Sequence, residues 1–245
     1  PQPWKGKIEP FRIAGNLYFV GMHAASSHLI DTGDGLILFD TGYGHTTHMM
    51  LDSIRGAGFD PMDIKIIIHS HGHFDHFGSG NALKKLTGAK VYMSGVDTRL
   101  LREKEERALM SWGPCPHDPI CWPDVLIEDG DHVKLGNTDI HCVLSAGHTA
   151  GTMTYFFDVT DGEKTLRAGY FGGTGMLGVY QDFCKKFGLP LDLCADSSFA
   201  ELSAVLAAEK PEVALLVIWM SLIAPKESTM LSSSKSTSSA RNSSS

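Results

Sequence analysis

The chain has 245 residues, 42% of them hydrophobic and 20% charged, with a formal net charge of −7. That length and apolar share suit one globular domain at residues 1–222, followed by a Ser-rich low-complexity tail at 223–245. The acidic balance argues against a nucleic-acid partner, because phosphate-backbone binding calls for basic clusters. No apolar run reaches the ~18–20 residues of a membrane helix, so a membrane partner is not expected either.

In chain order, short strands are predicted at residues 17–20, 27–31, 36–39 and 64–68, with helices at 46–55 and 80–86. A helix rich in Leu, Arg and Glu follows at 96–109, and its basic residues from Arg99 to Arg107 read as a solvated face. Residues 112–123 hold four prolines that forbid continuous helix or central strand, so this aromatic-flanked insertion reads as a loop over the site, with His117 and Asp118 exposed. Further strands are predicted at 125–127, 133–135, 139–144, 153–158 and 166–171. Ser197-Ser198 can cap a helix running to Glu209, with Glu201 in capping-box position and Asp196 as a helix-start carboxylate. A buried-type strand follows within 211–221, and ten of the twenty residues from 226 to 245 are serine, a composition that predicts disorder. The pattern is α/β, a four-layer αββα sandwich of two mixed β-sheets flanked by helices.

Chemistry concentrates at one place. The apolar strand Ile66-Ile67-Ile68 runs into His69-Ser70-His71-Gly72-His73-Phe74-Asp75-His76, which puts H-x-H-x-D-H directly after a buried strand. His71 and His73, two residues apart, can turn their imidazoles to one metal, while Asp75 and His76 offer a carboxylate and an imidazole to a second. Ligands on a strand end are held rigidly, so the loop is a two-metal platform. A catalytic zinc needs a third protein ligand, and His148 is the candidate, in Gly147-His148-Thr149-Ala150-Gly151 after another predicted strand, although that motif alone is a weak signal. His69 is read as a supporting residue. His23, His28, His45, His48, His132 and His141 lack convergent spacing and are read as structural or exposed. Cys115, Cys121, Cys142, Cys184 and Cys194 form no C-x-x-C pair and are odd in number, so free thiols in a reducing, cytoplasmic setting are expected. Cys115 and Cys121 are close enough in sequence to close a small loop.

These residues resemble the metallo-beta-lactamase superfamily from about Gly15 to about Val205. Ser27-His28-Leu29-Ile30-Asp31 and Gly35-Leu36-Ile37-Leu38-Phe39-Asp40-Thr41-Gly42 look like that family's opening hairpin and Asp-Thr-Gly turn. The resemblance implies the metallo-beta-lactamase fold, with His71, His73 and His148 on a first zinc, Asp75 and His76 on a second, and Asp40 bonded around the metal loop. It also implies a small-molecule substrate and a zinc-activated water acting on an ester, thioester, lactone or lactam bond. Asp75 would be the catalytic residue that orients the water and passes its proton to the leaving group.

Two departures shape the expectation. Many members carry a metal-bridging aspartate in a segment resembling Tyr170-Phe171-Gly172-Gly173-Thr174-Gly175, where this chain has Thr174. Lactamase branches use cysteine or serine near that point, and the chain sits nearest to that branch. Members also contribute a last histidine after the final core strand, whereas no histidine follows His148 here. A second zinc site that binds weakly is therefore expected, and the alternative reading is a catalytically impaired zinc-binding relative. The coincidence of the missing histidine with the Ser-rich end points to a replaced C-terminus, by a shifted frame or altered splice. A diiron redox relative is disfavoured, because such members want further carboxylates.

Overall fold

A computed structural model describes residues 3–23, 25–105, 108, 119–146, 148–173 and 213–216. Among them, seven strands form one sheet in chain order: β1 (Phe11–Ala14), β2 (Leu17–Phe19), β3 (His28–Asp31), β4 (Leu36–Phe39), β5 (Ile64–His69), β6 (Lys90–Ser94) and β7 (Val125–Ile127). β1 to β4 pair antiparallel, and β4 to β7 pair parallel. The second sheet is built from β8 (His132–Leu135), β9 (Thr138–Leu144), β10 (Met153–Asp161), β11 (Lys164–Phe171) and β12 (Val213–Leu216), in the spatial order β12-β11-β10-β9-β8. It is mixed too, because β12 joins β11 in parallel while the other pairs are antiparallel.

Period-2 alternation explains how one strand serves two cores. Along β4, Ile37 and Phe39 point into the space between the sheets, where they meet Tyr155, Phe157 and Tyr170 of β10 and β11. Leu36 and Leu38 point the other way. There they pack under the outer helices α1 (Thr47–Gly56), α2 (Phe74–Phe77), α3 (Gly80–Thr87) and α4 (Gly95–Glu103), which contribute Met50, Ile54, Phe77, Leu83 and Leu101. β5 repeats the division with Ile66 and Ile68 inward and Ile67 outward, while Ile64, on the far side of a register shift against β4, also packs outward. This strand is apolar on both faces because both are covered.

The expected two-sheet sandwich is thus present, with helices over the outer face of the seven-stranded sheet. The predicted 197–209 helix and its Asp196, the 112–118 part of the loop with Cys115, His117 and Asp118, Thr174, Cys184, Cys194 and the tail lie outside the described residues. The predicted 96–109 helix is shorter: α4 ends at Glu103, and Lys104 is extended at φ −155°. Residues 102–107 are charged at every position and have no apolar stripe to bury. β10 and β11 run further than predicted, because Asp161 pairs with Lys164 across a tight Gly162-Glu163 turn that carries the ladder into polar residues. Two strands had no prediction, β1 and β6. β1 is an edge strand with Phe11 51% exposed, which blurs its pattern. No helix among the described residues is long and apolar enough to cross a membrane.

Candidate metal centre

β5 lies between β4 and β6, and its C-terminal end feeds straight into the histidine loop. His73 is the N-cap residue of the short helix α2, so its backbone is extended (φ −92°, ψ 148°) while Asp75 and His76 are helical. That change of conformation within four residues sends the side chains to two neighbouring points. His71 Nε2 lies 3.0 Å from His73 Nδ1. His73 Nδ1 lies 3.0 Å from His148 Nε2, delivered by the loop after β9. These three nitrogens lie within 4.8 Å of one another and could hold a metal ion.

Electrostatics favours the neutral form of all three rings. Burial, then the charge of His76, pushes His148 down to about 3. Burial and the neighbouring imidazoles hold His71 and His73 well below the usual histidine range. The rings therefore offer lone pairs at pH 7, as metal ligation requires. Tetrahedral zinc with N ligands at 2.0–2.1 Å separates them by about 3.3 Å, close to the spacing here.

Asp75 and His76 sit beside this group. The His71 and His76 rings are 4.0 Å apart between centroids, and His76 Nε2 is 3.6 Å from Asp75 Oδ2. Asp75 Oδ1 is buried with no hydrogen-bond partner, and burial pushes its carboxyl above the usual range. An orphaned buried carboxylate oxygen costs about 1–3 kcal/mol or more, so its presence beside three convergent nitrogens fits a cation or a water as its partner. The donor set fits zinc. Among the described residues the second pair has two protein donors and no third.

Asp40 stands behind both groups in a left-handed backbone conformation, φ 55°. Its Oδ1 accepts from the Ser70 backbone N–H at 2.7 Å. Its Oδ2 is 2.7 Å from the Ser70 hydroxyl, 2.9 Å from His76 Nδ1 and 2.6 Å from the Tyr170 hydroxyl. Burial alone would raise the Asp40 carboxyl, but the His76 charge and the hydrogen bonds from His76, Ser70 and Tyr170 hold it below the usual range. Bonding His76 through Nδ1 leaves Nε2 facing Asp75, a second partner fixing a histidine's orientation. The reading of Asp40 as a support for the loop matches this geometry, while Ser70 and Tyr170 were not singled out in the sequence. Ser70 had a signal, since it lies between two histidines of the motif. Tyr170 had none, because it arrives from the other sheet.

The remaining histidines are placed apart from the group. His69 is buried, with Nε2 3.5 Å from Thr41 Oγ1 and Nδ1 unpartnered. His23, His45, His48 and His132 are exposed. His28 is buried edge-on to Tyr170, its ring 5.3 Å away. Cys121 and Cys142 are buried free thiols.

The sequence profile of the metallo-beta-lactamase superfamily matches residues 20–161. The native FEZ-1 metallo-beta-lactamase from Legionella gormanii superimposes with a TM-score of 0.65 at 32% identity, covering 72% of this chain and 67% of that one. A beta-lactamase from Chitinophaga pinensis gives a TM-score of 0.70 at 28% identity, covering 89% and 80%. In sequence the chain is 31% identical over 121 residues to a beta-lactamase hydrolase-like protein of Agrobacterium fabrum, 48% of this chain and 27% of that protein. It is 26% identical over 168 residues to a hydroxyacylglutathione hydrolase of Cereibacter sphaeroides, 64% of this chain and 58% of that protein. The chain therefore spans less than two thirds of the length of these two relatives. With the profile covering more than half of its residues, and with two mixed sheets and converged histidines in place, the chain belongs to the metallo-beta-lactamase superfamily, whose members are metallo-hydrolases.

Proposed function

We propose that the chain is a zinc-dependent hydrolase acting on an ester, thioester, lactone or lactam bond of a small molecule. The observation that carries this reading is the convergence of three imidazole nitrogens beside a buried carboxylate oxygen that has no partner. His71, His73 and His148 are the residues that would hold the first zinc, and Asp75 with His76 would hold a second one weakly. Zinc bound there supplies a Lewis acid and lowers the pKa of the water it carries toward ~7. Asp75, whose Oδ1 has no partner within the protein, would be the group that orients a nucleophilic water toward the substrate carbonyl, takes up its proton and passes that proton to the leaving group. His76, tied back to Asp40, holds the Asp75 carboxylate from the other side. Similarity to beta-lactamases and to a hydroxyacylglutathione hydrolase supports the class of scissile bond.

In this reading residues 1–222 are the catalytic domain and 223–245 a tail, and the protein is cytoplasmic, in keeping with the free Cys121 and Cys142. A second reading, a zinc-binding relative without useful turnover, is favoured by one observation: no histidine follows His148 to complete the second site. Elemental analysis of the as-purified protein, with nitrocefin and simple-ester assays on the same sample, separates the two. Zinc with chelator-sensitive turnover that is lost in His71→Ala supports the hydrolase. Zinc without turnover supports the second reading, and a metal-free, inactive protein overturns both.

A further inference from the structure

The two segments that carry the histidines come from different sheets, and one carboxylate joins them. Asp97 lies in the first turn of α4, 3% exposed. Its Oδ2 accepts from the Gly72 backbone N–H and from the Thr149 hydroxyl, each at 2.7 Å. Its Oδ1 accepts from the Gly151 backbone N–H at 2.8 Å. Gly72 sits between His71 and His73, and Thr149 follows His148. All three partners donate, so the site calls for an anionic acceptor, and hydrogen bonds to a charged group are about twice as strong as neutral ones.

The fit around Asp97 is close. A Cβ on Gly72 would come within 3.3 Å of the Asp97 Cβ and 3.0 Å of the Leu101 side chain. A Cβ on Gly151 would come within 2.5 Å of both the Asp97 backbone nitrogen and Oδ1. Gly151 is thus required by the approach of this helix turn, and a side chain at Gly72 would force Asp97 or Leu101 to give by a few tenths of an ångström. The turn is itself anchored, because the Ser94 hydroxyl caps the α4 N–H groups of Val96 and Asp97 and the Thr98 hydroxyl donates to the Ser94 carbonyl at 2.8 Å.

We propose that Asp97 is the positioning residue of the metal centre: it locks the His71-Gly72-His73 turn and the His148-Thr149 turn in one register, so that the three ring nitrogens converge before a metal arrives. This inference rests on the zinc reading of the triad given above. Asp97 bonds the Gly72 and Gly151 backbone and the Thr149 hydroxyl rather than the ligand rings, and so acts through the ligand loops. Asn at this position keeps the size but replaces one acceptor oxygen with a donor, facing Gly72 and Thr149 or Gly151. Thr149→Val removes a single hydroxyl, and Thr149→Ser keeps it.

The test is zinc affinity by competition with a chromophoric chelator, together with the visible spectrum of the cobalt(II)-substituted proteins and far-UV circular dichroism of the metal-free ones. Asp97→Asn is expected to weaken first-site zinc binding by about 10–100-fold and to shift the cobalt band, with the fold retained. Thr149→Val is expected to weaken it by about 10-fold, and Thr149→Ser to restore it. If the wild-type chain takes up no zinc, the metal reading falls and the positioning role with it. If the wild type binds zinc and both Asp97→Asn and Thr149→Val bind within about threefold of it, the positioning role is overturned while the zinc reading stands. Should Asp97→Asn fail to fold, the Thr149→Val and Thr149→Ser pair decides on the same criterion.

Discussion

Asp40 and Asp75 are equally buried carboxylates on either side of His76, yet their surroundings are opposite. Asp40, on the turn after β4, receives hydrogen bonds from Ser70, His76 and Tyr170 and is held below the usual carboxylate range. Asp75, on α2, has one oxygen without a partner and is pushed upward by burial. The first is scaffold, since its charge is already compensated from inside the protein. The second is left wanting a partner from outside, and groups perturbed in this way concentrate at functional sites.

The contrast can be broken most severely at Asp40. Asp40→Ala leaves the Ser70 N–H, the Tyr170 hydroxyl and His76 without their acceptor, and removing one member of a buried pair costs about 3–5 kcal/mol. For a chain of this size that is a fall of about 10 °C in the melting temperature of the chelated protein. A melting temperature within about 2 °C of wild type would remove the scaffold role.

The same side of the comparison has an acid signature. Burial holds His28, next to Tyr170, down at about 4, against an ordinary value of 6.5. As pH falls, the unfolded chain takes up this proton first, so stability that is fully present above pH 6.5 is lost between 6.5 and 4. The loss attributable to His28 is about 3 kcal/mol. Denaturant titrations of the metal-free protein across that range should show a shallower decline in His28→Phe. Parallel pH profiles for the two proteins would mean that His28 is not held neutral by the fold.

The smallest change in stability is expected at Asp75. Asp75→Asn should lower turnover by about 100-fold or more, as loss of a proton-transfer group does, while the melting temperature of the chelated protein stays within about 2 °C. A large loss of stability with turnover intact would invert the comparison and make Asp75 the structural member.

The regular strands were legible where the pattern was local. β3, β4, β5 and β7 lie within about a residue of expectation because alternating or continuous apolar runs are bounded by turns. β6 was missed: its Lys90-Val91-Tyr92-Met93-Ser94 reads as neither, and it is a strand because β5 and β7 flank it in parallel. The 96–109 helix was overextended because charged residues have fair helix propensity, and the end of α4 is decided by where the buried face stops, at Leu101.

The same division holds at the metal centre. His71, His73, Asp75 and His76 were readable from sequence because their spacing is fixed by a few bonds of backbone. His148 needed the resemblance to join it to them, since the 72 residues between Asp75 and His148 carry no distance information. Ser70, Tyr170 and Asp97 owe their roles to partners 25 to 130 residues away. A hydrogen bond across two sheets leaves no periodic trace in either segment. In Asp97 the local signal even pointed elsewhere, to the first turn of a helix opened by Ser94. Sequence by itself determined which groups could ligate and which faces were apolar. Tertiary structure decided which carboxylates are satisfied and which are left open, because that depends on what packing brings within 3 Å of each oxygen.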